Sequence, residues 1–317
     1  MRKLRSETYL KDVFEILRVG MYSMFNSYKY NKDSLLYPYV NFKTNWEIFK
    51  TGKRDIKSFD ILKNIFASPE GESLIFKDIR IPIPKTEKEI VYGLLIEIQD
   101  LIIPYMYDDK KIIHGTAVEG PYELNEVYLE KGDVVVDAGS NMGVFSAIAS
   151  VKGCQAIAFE PMPENINNYL NKTAEWNKNI TVAPYALSDN TGTLKFANYE
   201  GGITMGHRTD VNGNPLTNVK ADMQIKDEIE VPCITLDDYI SKNNINKIDF
   251  IKADIEGSER YLLKGAKNVL KEFAPKISIC TYHLKDDPKV LRDLIWDANP
   301  NYCIFEKYKK MYAYIKK

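Results

Sequence analysis

The sequence predicts an α/β protein, with a doubly wound, mostly parallel sheet in the C-terminal two thirds and a mainly helical extension before it. Three observations carry this expectation. From Lys131 onward, short runs rich in Val, Ile and Ala alternate with segments of helical period, as in GDVVVDAG followed by VFSAIAS. Those runs lack polar/apolar alternation, the pattern of parallel strands covered on both faces. Before about residue 110 the character differs, with apolar and aromatic residues at helical spacing from Thr8 to Lys29 and from Asn45 to Phe66.

The elements follow in order. In the first unit, residues 1–110, SLIFKDIRIPIP alternates like an edge strand closed by prolines, and EKEIVYGLLIEIQDLIIPYM reads as one helix ending near Pro104. The second unit, 111–317, begins its strands with GDVVVDAG. It continues through CQAIAFEP with the helix PENINNYLNKTAEWN, then ITVAPYALS, then IEVPCITL with a short helix. KIDFIKAD leads into GSERYLLKGAKNVLKEF, PKISICTYH follows, and YCIFEKY with MYAYIKK forms a closing pair. The chain carries no repeat period and no low-complexity tract.

Composition narrows the function classes. Across 317 residues, 43 basic side chains face 44 acidic ones, so no net field gathers nucleic acid or anionic lipid. The 4 cysteines lie far apart without a C-x-x-C pair, which argues against a zinc site and against a disulfide framework. The run VFEILRVGMYSMF is broken by Glu15 and Arg18, unlike a signal core or a spanning helix. A cytoplasmic protein with reduced thiols, no transmembrane segment and no nucleic-acid partner is expected.

The first chemical signal is VVVDAGSNMGVFSAIAS, where a buried strand ends in a glycine turn and a helix of small residues begins. Glycine permits the tight turn and close ligand approach, and the helix start offers free N–H groups. A dinucleotide fold asks for G-x-G-x-x-G; this turn instead reads Asp137-x-Gly139-x-Asn141-x-Gly143, with a carboxylate suited to a cation rather than a pyrophosphate. Glu160 ends the next strand about twenty residues on, the place from which an acidic side chain takes ribose hydroxyls. A ribose ligand bearing an ammonium and a sulfonium, S-adenosylmethionine, fits the pair.

From about Glu119 to the end, the chain resembles the FkbM family of S-adenosylmethionine-dependent methyltransferases. GDVVVDAGSNMGVFS, IAFEPMPENINNYLNKTAEWN, APYALSDNTGTLKF, TLDDYI and IDFIKADIEGSERYLLKGA carry the resemblance, in that order. It departs at Thr281, where the family often has a glutamate two residues before the histidine that is His283 here. The resemblance implies a Rossmann-like methyltransferase fold and methyl transfer to a hydroxyl of a sugar or natural product. It also implies that Asp137, Gly139, Asn141 and Gly143 line the methionine end, Glu160 the ribose, and Ala186, Leu187 and Asp189 the adenine edge, with Phe159 and Pro161 as packing.

On the acceptor side, methyl transfer is an in-line displacement that needs positioning above all, and an alkyl hydroxyl gains roughly 10²–10⁴-fold from a nearby base. Asp254 and His283 end the strands IDFIKAD and ISICTYH, so both are expected at the crevice beyond the strand ends. His283 is the candidate base, since an unperturbed imidazole is largely neutral near pH 7. Asp254 can accept from the acceptor hydroxyl, sit beside the sulfonium, or ligate a divalent metal. Metal is the weaker option, because Asp254 and Glu256 alone make an incomplete oxygen shell. Glu256 is a catalytic candidate or a first-turn helix residue, and Glu259 a surface or capping residue. Lys252, two residues before Asp254 on the same strand face, suggests an ion pair with it.

Tyr122, Thr204, His207 and Lys252 are acceptor-side candidates, with Glu119 and Glu123 beside Tyr122. Thr204 and His207 lie in the Gly/Asn-rich segment GGITMGHRTDVNGNPLTN, either an acceptor-binding loop or a plain surface excursion. The expectation is an O-methyltransferase of a sugar or glycan acceptor in surface polysaccharide or glycolipid biosynthesis. The alternatives are a methyltransferase of a non-sugar natural product and a nucleotide-binding oxidoreductase. The extension is open to three roles: acceptor wall, homo-oligomer contact or link to other enzymes.

Overall fold

Val134–Ala138 (VVVDA) is buried at every position, and a strand covered on both faces belongs at the centre of a sheet. The computed structural model, which describes residues 67–84, 94, 97, 101–102, 105, 121–199, 207–209 and 225–316, places it there. Numbered along the chain, the strands are β1 Ser73–Phe76, β2 Ile79–Pro82, β3 Val134–Ala138, β4 Gln155–Phe159, β5 Ile180–Ala183, β6 Ala186–Leu187 and β7 Gly192–Tyr199. They continue as β8 His207–Arg208, β9 Ile225–Ile234, β10 Phe250–Ala253, β11 Lys276–Cys280, β12 Tyr302–Lys307 and β13 Lys310–Ile315. The helices are α1 Val144–Val151, α2 Pro163–Asn165, α3 Asn171–Trp176, α4 Leu236–Lys242, α5 Glu259–Lys264, α6 Lys267–Glu272 and α7 Asp287–Ala298.

The main sheet has the order β12-β13-β11-β10-β3-β4-β5. Strands β11, β10, β3, β4 and β5 run parallel, and β13 and β12 close the edge as an antiparallel pair. This is the Rossmann-like α/β sheet expected. IEVPCITL departs from the expectation: as part of β9 it leaves the main sheet and joins β6, β7 and β8 in a small sheet of order β6-β9-β7-β8. Its alternation of exposed and buried positions, Glu230 out, Val231 in, Pro232 out, Cys233 in, is that of an antiparallel strand with one wet face.

Alternate residues of the central strands feed two cores. Val135, Phe250 and Cys280 point to a cluster with α1 residues Val144, Phe145 and Ile148, whereas Val136, Ile251 and Ile279 point to the face covered by α4 to α7. Each fully buried Val, Ile or Leu adds roughly 1.5–3 kcal/mol of apolar transfer. The TLDDYI block serves this second face: Thr235 Oγ1 accepts from Asp238 N at 3.0 Å, capping α4. Asp237 accepts from Asn268 N and Val269 N at 3.0 Å each, which ties α4 to the start of α6.

SLIFKDIRIPIP is two strands rather than one edge strand. Lys77, at φ 62°, starts the turn that folds β1 back on β2 in an antiparallel hairpin. The hairpin is fastened to the sheet domain by Asn177, which accepts from Arg80 N at 3.1 Å and donates to Arg80 O at 2.6 Å. Its residues Leu74, Phe76, Ile79 and Ile81 lie in the same buried cluster as α1. The helices expected at Thr8–Lys29 and Asn45–Phe66 lie outside the described residues. Of the helix expected before Pro104, Leu94, Glu97, Leu101, Ile102 and Tyr105 are described, all with helical backbone. Among the described residues, no helix is long and apolar enough to cross a membrane.

Candidate active site

The pocket opens at the carboxyl ends of β3, β4 and β10. Its geometry begins with Gly139, at φ +75°, where a Cβ atom would stand 2.0 Å from the Asp254 carbonyl oxygen. Only glycine lets the turn after β3 pass this close to the end of β10. Asn141 follows in the left-handed region at φ 52°, and its N–H donates to Glu160 Oε2 at 2.9 Å. Glu160 also accepts from Met162 N at 3.0 Å and Asn165 Nδ2 at 3.3 Å. Burial pushes this carboxyl up to about 7, against the pull of the three N–H donors. Asn141 Oδ1 is buried, belongs to a residue that lines the pocket, and makes no hydrogen bond among the described residues. Phe159, Tyr185, Ala186, Leu187, Leu194 and Phe196 supply an apolar slot beside it.

Two predicted cofactor residues stand behind this wall. Asp137 is fully buried; Oδ2 accepts from Ser146 Oγ at 2.6 Å and Oδ1 lies 3.0 Å from Lys252 Nζ. Gly143 caps α1 against Leu170 and Thr173 at φ +86°. Asp189 is exposed, accepts from Ser188 Oγ at 3.1 Å and is not on the pocket wall.

The expected Lys252–Asp254 ion pair is replaced by a Lys252–Asp137 pair, because β10 and β3 run parallel with Lys252 opposite Asp137 in register. Lys252 Nζ also donates to Gly139 O at 2.7 Å and Ala138 O at 3.3 Å, holding the turn from beneath. Burial pulls this ammonium down, but Asp137 and Asp254 outweigh it and the net shift is upward.

Asp254 sits at the end of β10 and accepts from Tyr122 Oη at Oδ2, 2.6 Å away. Burial raises its carboxyl, yet His283, Lys252, Lys310 and the Tyr122 hydroxyl bring it down to about 2. Tyr122 itself is wedged between Lys252 Nζ, 5.3 Å from the ring centroid, and Lys310 Nζ at 4.3 Å. Glu256 and Gly257 follow with φ 52° and 87°, turning the Glu256 carboxylate toward His283 before α5 begins. Glu259, expected at the surface, is completely buried: Oε1 accepts from Ile255 N at 2.9 Å and lies 3.0 Å from His283 Nδ1. His283 Nε2 stands 3.3 Å from Glu256 Oε2 and 3.5 Å from Asp254 Oδ1.

This cluster changes the reading of His283. Burial lowers its basicity, but Glu259, Glu256 and Asp254 together push it up to about 12. The cluster therefore favours the imidazolium over the neutral base that an unperturbed imidazole would be.

Sequence reasoning passed over Glu97, Tyr185, Phe196 and Lys310, all on the pocket wall. Glu97 is the most consequential. It comes from the segment before residue 110, Oε2 has no hydrogen-bond partner among the described residues, and burial pushes its carboxyl up to about 8. Its one sequence signal is an acid, with Asp100 three residues on, inside the apolar run IVYGLLIEIQDLII. Glu123 is spent elsewhere, accepting from Leu129 N at 2.8 Å and pairing with Lys152. His207 is placed only as the backbone partner of Ala197, and Thr204 and Glu119 lie outside the described residues.

A family model, described as the Methyltransferase FkbM domain, matches residues 137–314, more than half of the chain. The chain belongs to the FkbM methyltransferase family. Hexuronic acid methyltransferase AglP of Haloferax volcanii is 27% identical over 169 residues, 53% of this chain and 64% of that protein. The 31-O-demethyl-FK506 methyltransferase FkbM of Streptomyces tacrolimicus is 29% identical over 168 residues, 46% of this chain and 64% of that protein. The chain thus spans just under two thirds of the length of either relative. Among solved structures, methyltransferase FkbM from Methylobacillus flagellatus KT aligns with a TM-score of 0.44 at 18% identity, covering 86% of this chain and 70% of that one. The family match contains every residue of the FkbM-type turn, Glu160 and the Asp254–His283 cluster, but not Glu97 or Tyr122.

Proposed function

We propose that this FkbM-family protein is an O-methyltransferase that uses S-adenosylmethionine to methylate a hydroxyl of a sugar or glycan. The observation that carries the reading is the Asn141–Glu160 pair: a buried carboxylate and an unpartnered amide oxygen, side by side at the mouth of an apolar slot. Glu160 would accept from ribose hydroxyls, and Phe159, Tyr185 and Leu187 would flank the base. The unpartnered oxygens of Asn141 and Glu97 suit an ammonium. When bound, the cofactor supplies a methyl group on a positively charged sulfur. The chain's own task is then to exclude water and hold an acceptor oxygen in line, about 3 Å from the carbon.

Asp254 is the residue we assign to the acceptor. Its Oδ2 is taken by Tyr122; Oδ1, which lies 3.5 Å from both Tyr282 Oη and His283 Nε2, is the oxygen we assign to accept from a hydroxyl, on a carboxylate held well below its ordinary range. The sugar assignment rests on the likeness to a hexuronic acid methyltransferase, and the non-sugar alternative on the likeness to the FK506 enzyme. A methyl-transfer screen with labelled cofactor against nucleotide sugars, oligosaccharides and lipid-linked glycans, with polyketide hydroxyls as the second panel, decides between them. Label in the sugar panel supports the proposal; label only in the polyketide panel overturns the acceptor class.

A further inference from the structure

The geometry points to a divalent-cation site formed by Asp254, Glu256 and His283, with Glu259 as the group that orients His283. The inference rests on the methyl-transfer reading for its purpose but not for its existence. One atom from each of the three residues lies within 4.8 Å of the others, and His283 Nε2 is 3.3 Å from Glu256 Oε2 and 3.5 Å from Asp254 Oδ1. A cation with bonds of about 2.1 Å requires neighbouring ligand atoms about 3 Å apart when they meet at right angles. The two distances from His283 Nε2 therefore need to close by only a few tenths of an ångström.

Two independent features favour an ion over a simple polar cluster. First, the His283 side chain is only 4% exposed, yet among the described residues neither ring nitrogen makes an aligned hydrogen bond, and Nε2 stands within 3.5 Å of both carboxylates. Second, Nδ1 faces Glu259 Oε1 at 3.0 Å, and Glu259 is fully buried and fixed by Ile255 N. A buried carboxylate behind Nδ1 keeps a proton on that nitrogen, so the proton that leaves when a cation binds is the one on Nε2. The left-handed backbone at Glu256, φ 52°, turns its carboxylate into the same space, a conformation that a non-glycine residue adopts at some cost.

One imidazole and two carboxylates suit a borderline cation such as Mn²⁺ better than Ca²⁺, which prefers an all-oxygen shell. Asp254 and Glu256 both line the pocket, so the open coordination positions face the acceptor. A cation held there by Asp254, Glu256 and His283 would make an acceptor hydroxyl more acidic, its proton passing to water. That is the function a base would otherwise have to perform.

Titration of the chelator-treated full chain with Mn²⁺, followed by electron paramagnetic resonance of the free ion, tests the site directly. We expect one Mn²⁺ per chain, roughly 10–100-fold weaker binding in Glu259→Gln, and at least that loss in Glu256→Gln and His283→Gln. Glu256 is partly exposed and its substitution threatens the fold least. S-adenosylhomocysteine binding, measured by calorimetry on the same samples, reports separately on folding and on the cofactor reading. Absence of Mn²⁺ binding in a chain that binds S-adenosylhomocysteine overturns the metal site alone, as does Mn²⁺ binding unchanged in both Glu256→Gln and His283→Gln. Mn²⁺ binding without S-adenosylhomocysteine binding upholds the site and defeats the cofactor reading.

Discussion

The two ends of the pocket are built differently. On the cofactor side, Gly139, Asn141 and Glu160 come from one β-turn-α-β stretch, and the turn meets Glu160 through a backbone N–H. On the acceptor side, Asp254, Glu256, Glu259 and His283 come from the ends of two strands and the start of a helix, and they meet through charge. Backbone geometry tolerates little change in residue type, whereas a charge cluster can exchange a proton for a cation. The first end is therefore the less tolerant of substitution.

The largest expected effect breaks the link between the two ends. Asp137→Asn leaves the buried Lys252 ammonium without its carboxylate partner and should cost about 3–5 kcal/mol in urea unfolding. Gly139→Ala drives a Cβ into the Asp254 carbonyl and places alanine at φ +75°. Overpacking and strain together predict about 2–4 kcal/mol, with S-adenosylhomocysteine binding lost in calorimetry.

Next in size is the pH dependence of the cofactor end alone. Burial raises the Glu160 carboxyl from 4.5 to about 7, so the folded chain holds this proton more tightly than the unfolded chain does. Its contribution to stability is full below about pH 4.5 and is lost as pH rises through 7. A ligand whose hydroxyls donate to the carboxylate reverses the preference. S-adenosylhomocysteine affinity should thus climb between pH 6 and 8, by up to about tenfold per unit below 7, with proton release. In Glu160→Gln the slope should fall to the part contributed by Glu97, whose carboxyl burial pushes up to about 8.

Smaller still, Asn177→Ala frees the β1–β2 hairpin from the sheet domain and should cost roughly 1–3 kcal/mol by leaving the Arg80 backbone groups unpaired. Asp189→Ala, at an exposed position off the pocket wall, should change neither stability nor cofactor affinity by more than about 0.5 kcal/mol.

The same contrast explains what the sequence revealed. The turn Asp137-x-Gly139-x-Asn141-x-Gly143 and Glu160 were legible because one local backbone path needs those residue types at that spacing. The Val- and Ile-rich runs were legible as a parallel sheet because burial on both faces leaves its mark in composition. Partner choice was not: Lys252 lies on the face of Asp254 by period, but strand register sets it against Asp137. Glu259 reads as a helix-surface acid until His283, from a different strand, arrives to bury it. Glu97 sits in an apolar run whose destination depends on how the first third packs, which no local pattern encodes. IEVPCITL has the composition of a core strand, and only its pairing with β7 moves it to the second sheet.

The account stands on the Asn141–Glu160 end holding an adenosyl ligand. Titration calorimetry of the full chain at pH 8 with S-adenosylhomocysteine, and in parallel with NAD⁺ and NADP⁺, tests it most directly. We predict one S-adenosylhomocysteine per chain, strongly weakened by Glu160→Gln, and no heat from either dinucleotide. Binding of a dinucleotide without S-adenosylhomocysteine would contradict it.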